Sequence, residues 1–151
     1  MPNHPIVGAW IAVIPPDAGP AIFHADGTLI MGWSANYVDP TLGVVFQGPG
    51  IGTWEPQGER GVHFTSIQVL TDQDAKFLGT FLIESFPVVS DDGMSFTDNS
   101  PESRFVLRDA QGAILSDTRG PAAGTGLTAV RIAVGSLVLP EATPAAGTPT
   151  S

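Results

Sequence analysis

The sequence predicts an all-β fold, a closed antiparallel meander barrel of about eight or nine short strands. Three observations predict it. Runs rich in Val, Ile, Phe and Thr alternate along the chain with Gly, Pro, Asp and Asn, and 18 glycines and 14 prolines in 151 residues make the punctuation dense. No stretch of about ten residues or more carries a convincing helical period. A long sheet with an apolar face must be covered on both sides or close on itself, and closure also removes the edges.

Residues 6–14 form an apolar run rich in Val and Ile, stopped by Pro15-Pro16-Asp17-Ala18-Gly19-Pro20. Residues 21–25 make the next strand. Asp26-Gly27 is the strongest short hairpin signal available, and 28–33 returns. The stretch 34–50 is the longest without a clean period, and a connection of that length is often a functional lid. Residues 51–55 are a strand, turned by Gln57-Gly58-Glu59-Arg60-Gly61. Long strands follow at 61–71 and 76–89, with Asp72-Gln73-Asp74-Ala75 between them and Ser90-Asp91-Asp92-Gly93 after. Short strands at 94–97, 103–108 and 113–117 lead through a Gly/Pro loop at 120–124 to a closing strand at 127–134. The barrel domain covers 1–139. Residues 140–151 are small, polar and proline-rich with nothing to bury, which predicts a disordered tail.

Net charge is −9, and Lys76 and five arginines are the only Lys/Arg cations. A nucleic-acid footprint needs clustered Lys and Arg, and an anionic membrane surface needs the same, so neither is an expected partner. No apolar run approaches the roughly 20 residues of a transmembrane helix. The N-terminus lacks the basic start and apolar segment of a signal peptide. The expectation is a cytoplasmic protein, or a secreted one if a leader has been removed. Cysteine is absent, which excludes a disulfide framework and thiolate metal sites.

Gly8-Ala9-Trp10 on the first strand and Arg131 on the last form a pair in sequence order. A guanidinium over an indole gains about 0.5–2 kcal/mol, and a glycine leaves room for close approach. Gly52-Thr53-Trp54 repeats the local pattern, so the order of the two partners carries the meaning. This pair resembles the signature of lipocalin-like (calycin) barrels, and Phe23-His24-Ala25-Asp26-Gly27-Thr28 resembles the first hairpin of bacterial lipocalin-like domains. The resemblance spans about residues 6–135. It implies that Trp10 closes one end of the barrel with Arg131 across its face, and that the other end opens on a cavity for a small hydrophobic molecule.

Candidate site residues follow from that frame. Most acids sit at turns or strand ends, which is ordinary turn chemistry. Glu84 lies mid-strand in Phe81-Leu82-Ile83-Glu84-Ser85-Phe86; facing out it is a solvated charge, and facing in it is a candidate acid, base or ligand anchor. His63 is the second catalytic candidate. The ligand-binding set is Tyr37, Trp33 and Phe46 on the expected lid, with Trp54, His24, Phe64 and Glu84 on the walls. Ser66, Gln68 and Thr80 are milder polar candidates for the interior. The spacing of the three histidines does not make a zinc site, no phosphate loop or nucleophile elbow occurs, and no cofactor is expected.

Three functions stay open on the residues alone. One is binding of a small apolar molecule in the barrel. Another is a cofactor-free cyclase- or isomerase-type enzyme, similar to the small barrels of allene oxide cyclases and spirotetronate-type cyclases, that shapes an apolar substrate. The third is a packed interaction module. The first and last strands are apolar on both faces, which predicts a homodimer or homotrimer.

Overall fold

The computed structural model describes residues 3–14 and 16–135, and the expected tail lies outside them. Thirteen strands follow in chain order: β1 Gly8–Ile14, β2 Asp17–Phe23, β3 Thr28–Met31, β4 Asn36–Asp39, β5 Gly43–Gln47, β6 Gly50–Gln57, β7 Gly61–Thr71, β8 Phe77–Ser85, β9 Val88–Val89, β10 Ser95–Asp98, β11 Arg104–Asp109, β12 Ile114–Arg119 and β13 Leu127–Arg131. A 3-10 turn, Ala122–Gly124, precedes β13.

Eight of these strands close a ring, β7-β6-β3-β2-β1-β13-β10-β9, with Gly61 of β7 opposite Val88 of β9. The other five are continuations. β3 and β4 form one path, as do β5 and β6, β8 and β9, β10 and β11, and β12 and β13, since each pair of pieces faces the same neighbouring path. The chain is thus a meander of eight antiparallel paths, five of them broken once. Every break holds a residue that interrupts a ladder: Gly32, Gly48-Pro49, Pro87, Pro101 and Gly120-Pro121. The lower pieces close the barrel. The upper pieces run on as a sheet, β4-β5-β7-β8-β11-β12, which is not hydrogen-bonded between its outer members β4 and β12. That gap is the barrel mouth.

Several sequence expectations shift. The first strand begins at Gly8, and Ile6 is buried ahead of it as coil, accepting a 2.7 Å hydrogen bond from Trp10 Nε1. β2 starts at Asp17 inside the expected turn. The run 76–89 breaks at Phe86-Pro87, and β13 stops at Arg131. The segment 34–50 is not a loop across the mouth. It is the β4–β5 hairpin, paired onto β7 through Phe46↔Thr71 and Gln47↔Leu70. Its anchor is Val45, fully buried against Leu70 and Leu107. A Val-Val-Phe run between polar neighbours was long enough to pair once a barrel edge stood beside it.

The closed end is built as expected. The Arg131 guanidinium stands 4.2 Å from the Trp10 ring centroid. Trp10 is fully buried, meets Phe96 edge-on at 5.0 Å and leads a core that includes Phe23, Leu29, Trp54 and Val62. Arg131 donates to the carbonyls of Gly93 (2.8 Å), Val7 (3.0 Å) and Pro5, tying the N-terminal coil to the β9–β10 turn. Gly8 has φ +134°, and a Cβ there would meet Arg131 Nη1 at 2.5 Å, so both conformation and space require glycine.

Candidate functional site

The mouth opens on a cavity of about 380 Å³, within the roughly 300–1,000 Å³ of small-molecule sites. Period-2 alternation decides what faces it. On β7, Val62, Phe64, Ser66, Gln68 and Leu70 turn inward; on β8, Ile83 and Ser85 do. Phe64 lies toward the floor, and Met31, Trp33, Phe81, Ile83, Phe105, Leu107 and Leu127 supply apolar wall. Trp33 is seated by Gly19: a Cβ there would stand 2.6 Å from its ring, so β2 has no side chain where the indole lies. Tyr37 of β4 closes one side of the rim. Burial pushes its phenol up, and the Asp39 carboxylate adds to the shift, which keeps the hydroxyl neutral and free to donate. Ala122 and Ala123 of the 3-10 turn and Ser116 of β12 make the opposite side.

Three acids line the cavity, Asp17, Asp39 and Asp98, and none of its lining residues is Lys, Arg or His. Asp17 and Asp39 sit at the rim and cap loop amides, Asp17 at Ala18 and Ser34, Asp39 at Thr41 and Leu42. Asp98 is different: only 1% exposed, it stands at the end of β10 where the path breaks. The hydroxyls of Ser85 and Ser103 and the amide of Ser100 (3.1 Å) converge on its carboxylate, with Ser103 Oγ at 3.0 and 2.9 Å from its two oxygens. Among the described residues it has no cationic partner. Sequence reasoning missed Asp98, because Asp98-Asn99-Ser100-Pro101 reads as a turn. The available signal was the Ser85 hydroxyl at an inward register position two strands away in the chain.

The sequence-derived candidates divide. Tyr37, Trp33 and Phe64 line the cavity. Trp54 does not; it is buried at the closed end between Phe23 and His4 and donates to the His24 carbonyl at 2.9 Å. His24 belongs to the β2–β3 turn, where Gly27 N donates to its carbonyl. Phe46 alternates away from buried Val45, outside the cavity lining. Glu84 or His63 was the expected polar group within, with the face of Glu84 open, and both are on the outer face. His63 Nε2 is 2.9 Å from Glu84 Oε1, His63 Nδ1 is 3.3 Å from Glu55, and the imidazole stacks on Phe86 at 4.5 Å. The reason is register. Ile83 and Ser85 must turn inward to fill the barrel, which sends Glu84 out opposite Thr65 and Arg104. Among the inward polar residues, Ser66 Oγ lies 3.1 Å from Met31 Sδ and Gln68 donates to the Gly48 carbonyl at 3.0 Å.

Among the described residues no group of three His, Asp or Glu is placed to hold a metal ion, and no helix is long and apolar enough to cross a membrane. Compared with known protein families, characterised proteins and solved structures, the chain has no significant match to any of them.

Proposed function

We propose that this protein is a lipocalin-like barrel of the bacterial calycin type that binds a small hydrophobic molecule in its mouth cavity. The observation that carries the reading is the cavity itself. A barrel that served only as a packed module would fill this volume with side chains, since eight-stranded barrels have just enough interior for one small ligand or for their own packing. Here aromatic and aliphatic walls surround open space, and a few polar groups converge on it. That is the usual make-up of a small-molecule site.

A second reading is a cofactor-free barrel enzyme of cyclase or isomerase type. Asp98 is the observation in its favour: a buried carboxyl on the cavity wall is in reach of a bound molecule and is the proton-transfer group such chemistry needs. Glu84 and His63 have no part in it.

The test is titration with N-phenyl-1-naphthylamine, a neutral apolar fluorophore. The wild type should bind one probe per chain with a blue shift, Tyr37→Ala should weaken it several-fold, and Leu127→Trp should block it. Absence of probe binding to folded wild-type protein would overturn the binding reading. Turnover of an unsaturated apolar substrate that Asp98→Asn abolishes while probe binding persists would put the enzyme reading first.

A further inference from the structure

The charge pattern of the cavity specifies its ligand more narrowly than its apolar walls do. We propose that the mouth takes an apolar molecule carrying one protonated amine, which pairs with the carboxylate of Asp98. The proposal rests on the binding reading above and deepens it. Three features converge on it. The first is the carboxylate's hydrogen-bond balance. Ser85, Ser103 and the Ser100 amide supply one hydrogen each, against about four acceptor sites on an ionised carboxylate. One acceptor is left over, in a group that lines the cavity. A buried carboxylate calls for a paired charge as well as hydrogen bonds, and no Lys, Arg or His among the lining residues supplies one.

The second feature is the rim. Asp17 and Asp39 each spend Oδ1 on backbone amides, and among the described residues no protein donor reaches either Oδ2. A molecule entering the mouth passes two carboxylates before it meets the third. With a chain charge of −9, the field favours a cation throughout that path and opposes a fatty acid or other anion. The third feature is the aromatic content of the wall. Trp33, Tyr37, Phe64, Phe81 and Phe105 all line the cavity, and such rings hold an ammonium through their faces as well as an apolar chain through their area. Asp98 thereby has two roles on one carboxylate. It staples the β10–β11 break to β8 through Ser85, and it lines the cavity.

Competition separates this proposal from the reading it rests on. N-phenyl-1-naphthylamine bound to the wild-type chain is displaced by octylamine, octanol or octanoate, which share a chain length and differ in charge. Octylamine should displace the probe at a concentration at least tenfold below octanol, with octanoate the weakest. In Asp98→Asn, whose Oδ1 can still accept from Ser103 and the Ser100 amide while its Nδ2 donates to Ser85, octylamine should fall to within about twofold of octanol. If the probe binds but the three competitors act alike, or octanoate leads, the amine proposal is overturned and the binding reading stands. If octylamine keeps its advantage in Asp98→Asn, Asp98 is not the partner. If the probe does not bind at all, the binding reading fails and the proposal with it. Should Asp98→Asn not fold, the wild-type series still decides, because equal displacement by amine and alcohol overturns the proposal without any variant.

Discussion

At the scale of single residues, Arg131 holds the closed end by more than its contact with Trp10. Its three hydrogen bonds go to carbonyls of Pro5 and Val7 in the N-terminal coil and of Gly93 in the β9–β10 turn, two segments far apart in the chain. Removing the guanidinium loses the cation–π contact and leaves those acceptors without their donor. Arg131→Ala should therefore cost about 3 kcal/mol, read as a drop in Tm of about 6–12 °C at this chain length. Loss of under a degree would mean that the pair is ornamental. His4 makes a second prediction. It packs on Trp54 with Nε2 buried and, among the described residues, without a hydrogen-bond partner, and burial holds its imidazole below the ordinary histidine value, with the Gly58 and Gly61 backbone offsetting only part of this. The folded state thus favours neutral His4, and the unfolded chain takes up the proton first as pH falls. Its contribution is present above the unfolded pKa of about 6.5 and is lost as pH falls from there toward the folded value. Between about pH 7.5 and 5.5 the wild type should lose more Tm than His4→Gln. Equal losses would remove His4 from the pH response.

At the scale of elements, the decisive feature is that five of the eight paths break once. Each break lets the lower piece close the ring while the upper piece leans away, and the mouth is the result. The Asp26-Gly27 turn behaves as its residues dictate: Thr28 donates from its amide (2.9 Å) and hydroxyl (2.7 Å) to Asp26, and these bonds hold the carboxyl below its usual range. The β4–β5 hairpin is where wall and lid make different predictions. As a wall it depends on Val45, buried against Leu70 and Leu107, so Val45→Ala should cost about 2 kcal/mol in denaturant unfolding. A mobile flap would lose almost nothing from that change.

At the scale of the whole molecule, the outer surface carries a feature that single strands conceal. Ile22, Ile30, Ile51 and Ile67 lie directly opposite one another across β2, β3, β6 and β7, with Ala9 at one end and Leu82 at the other. The four isoleucines are 38–61% exposed. The apolar outer face expected on the first and last strands thus continues as a belt across the barrel. An in-register row of branched side chains is self-complementary about a two-fold axis, and a second copy of the chain would cover it. Light scattering at micromolar concentration should exceed the 15.7 kDa of one chain, and Ile51→Lys should return it to that mass with the fold intact. A wild type that scatters as a monomer would end the idea.

The class of fold was legible because period-2 alternation and turn chemistry are local properties, read within a few residues. The Gly8, Trp10 and Arg131 contact was legible too, through the resemblance of the pair to the lipocalin-like signature and the affinity of a guanidinium for an indole face. The sidedness of Glu84 and His63 was not. Alternation divides a strand into two faces but does not say which one is inside, and that choice belonged to Phe64, Ser66, Ile83 and Ser85 filling the barrel. Nor could sequence find Asp98. Its neighbours spell a turn, and it becomes a buried acid only because the β10 break sets it behind Ser85 of another strand. The cavity was likewise decided by tertiary structure, through Gly and Pro breaks in five of the eight paths, which leave the upper sheet unclosed between β4 and β12.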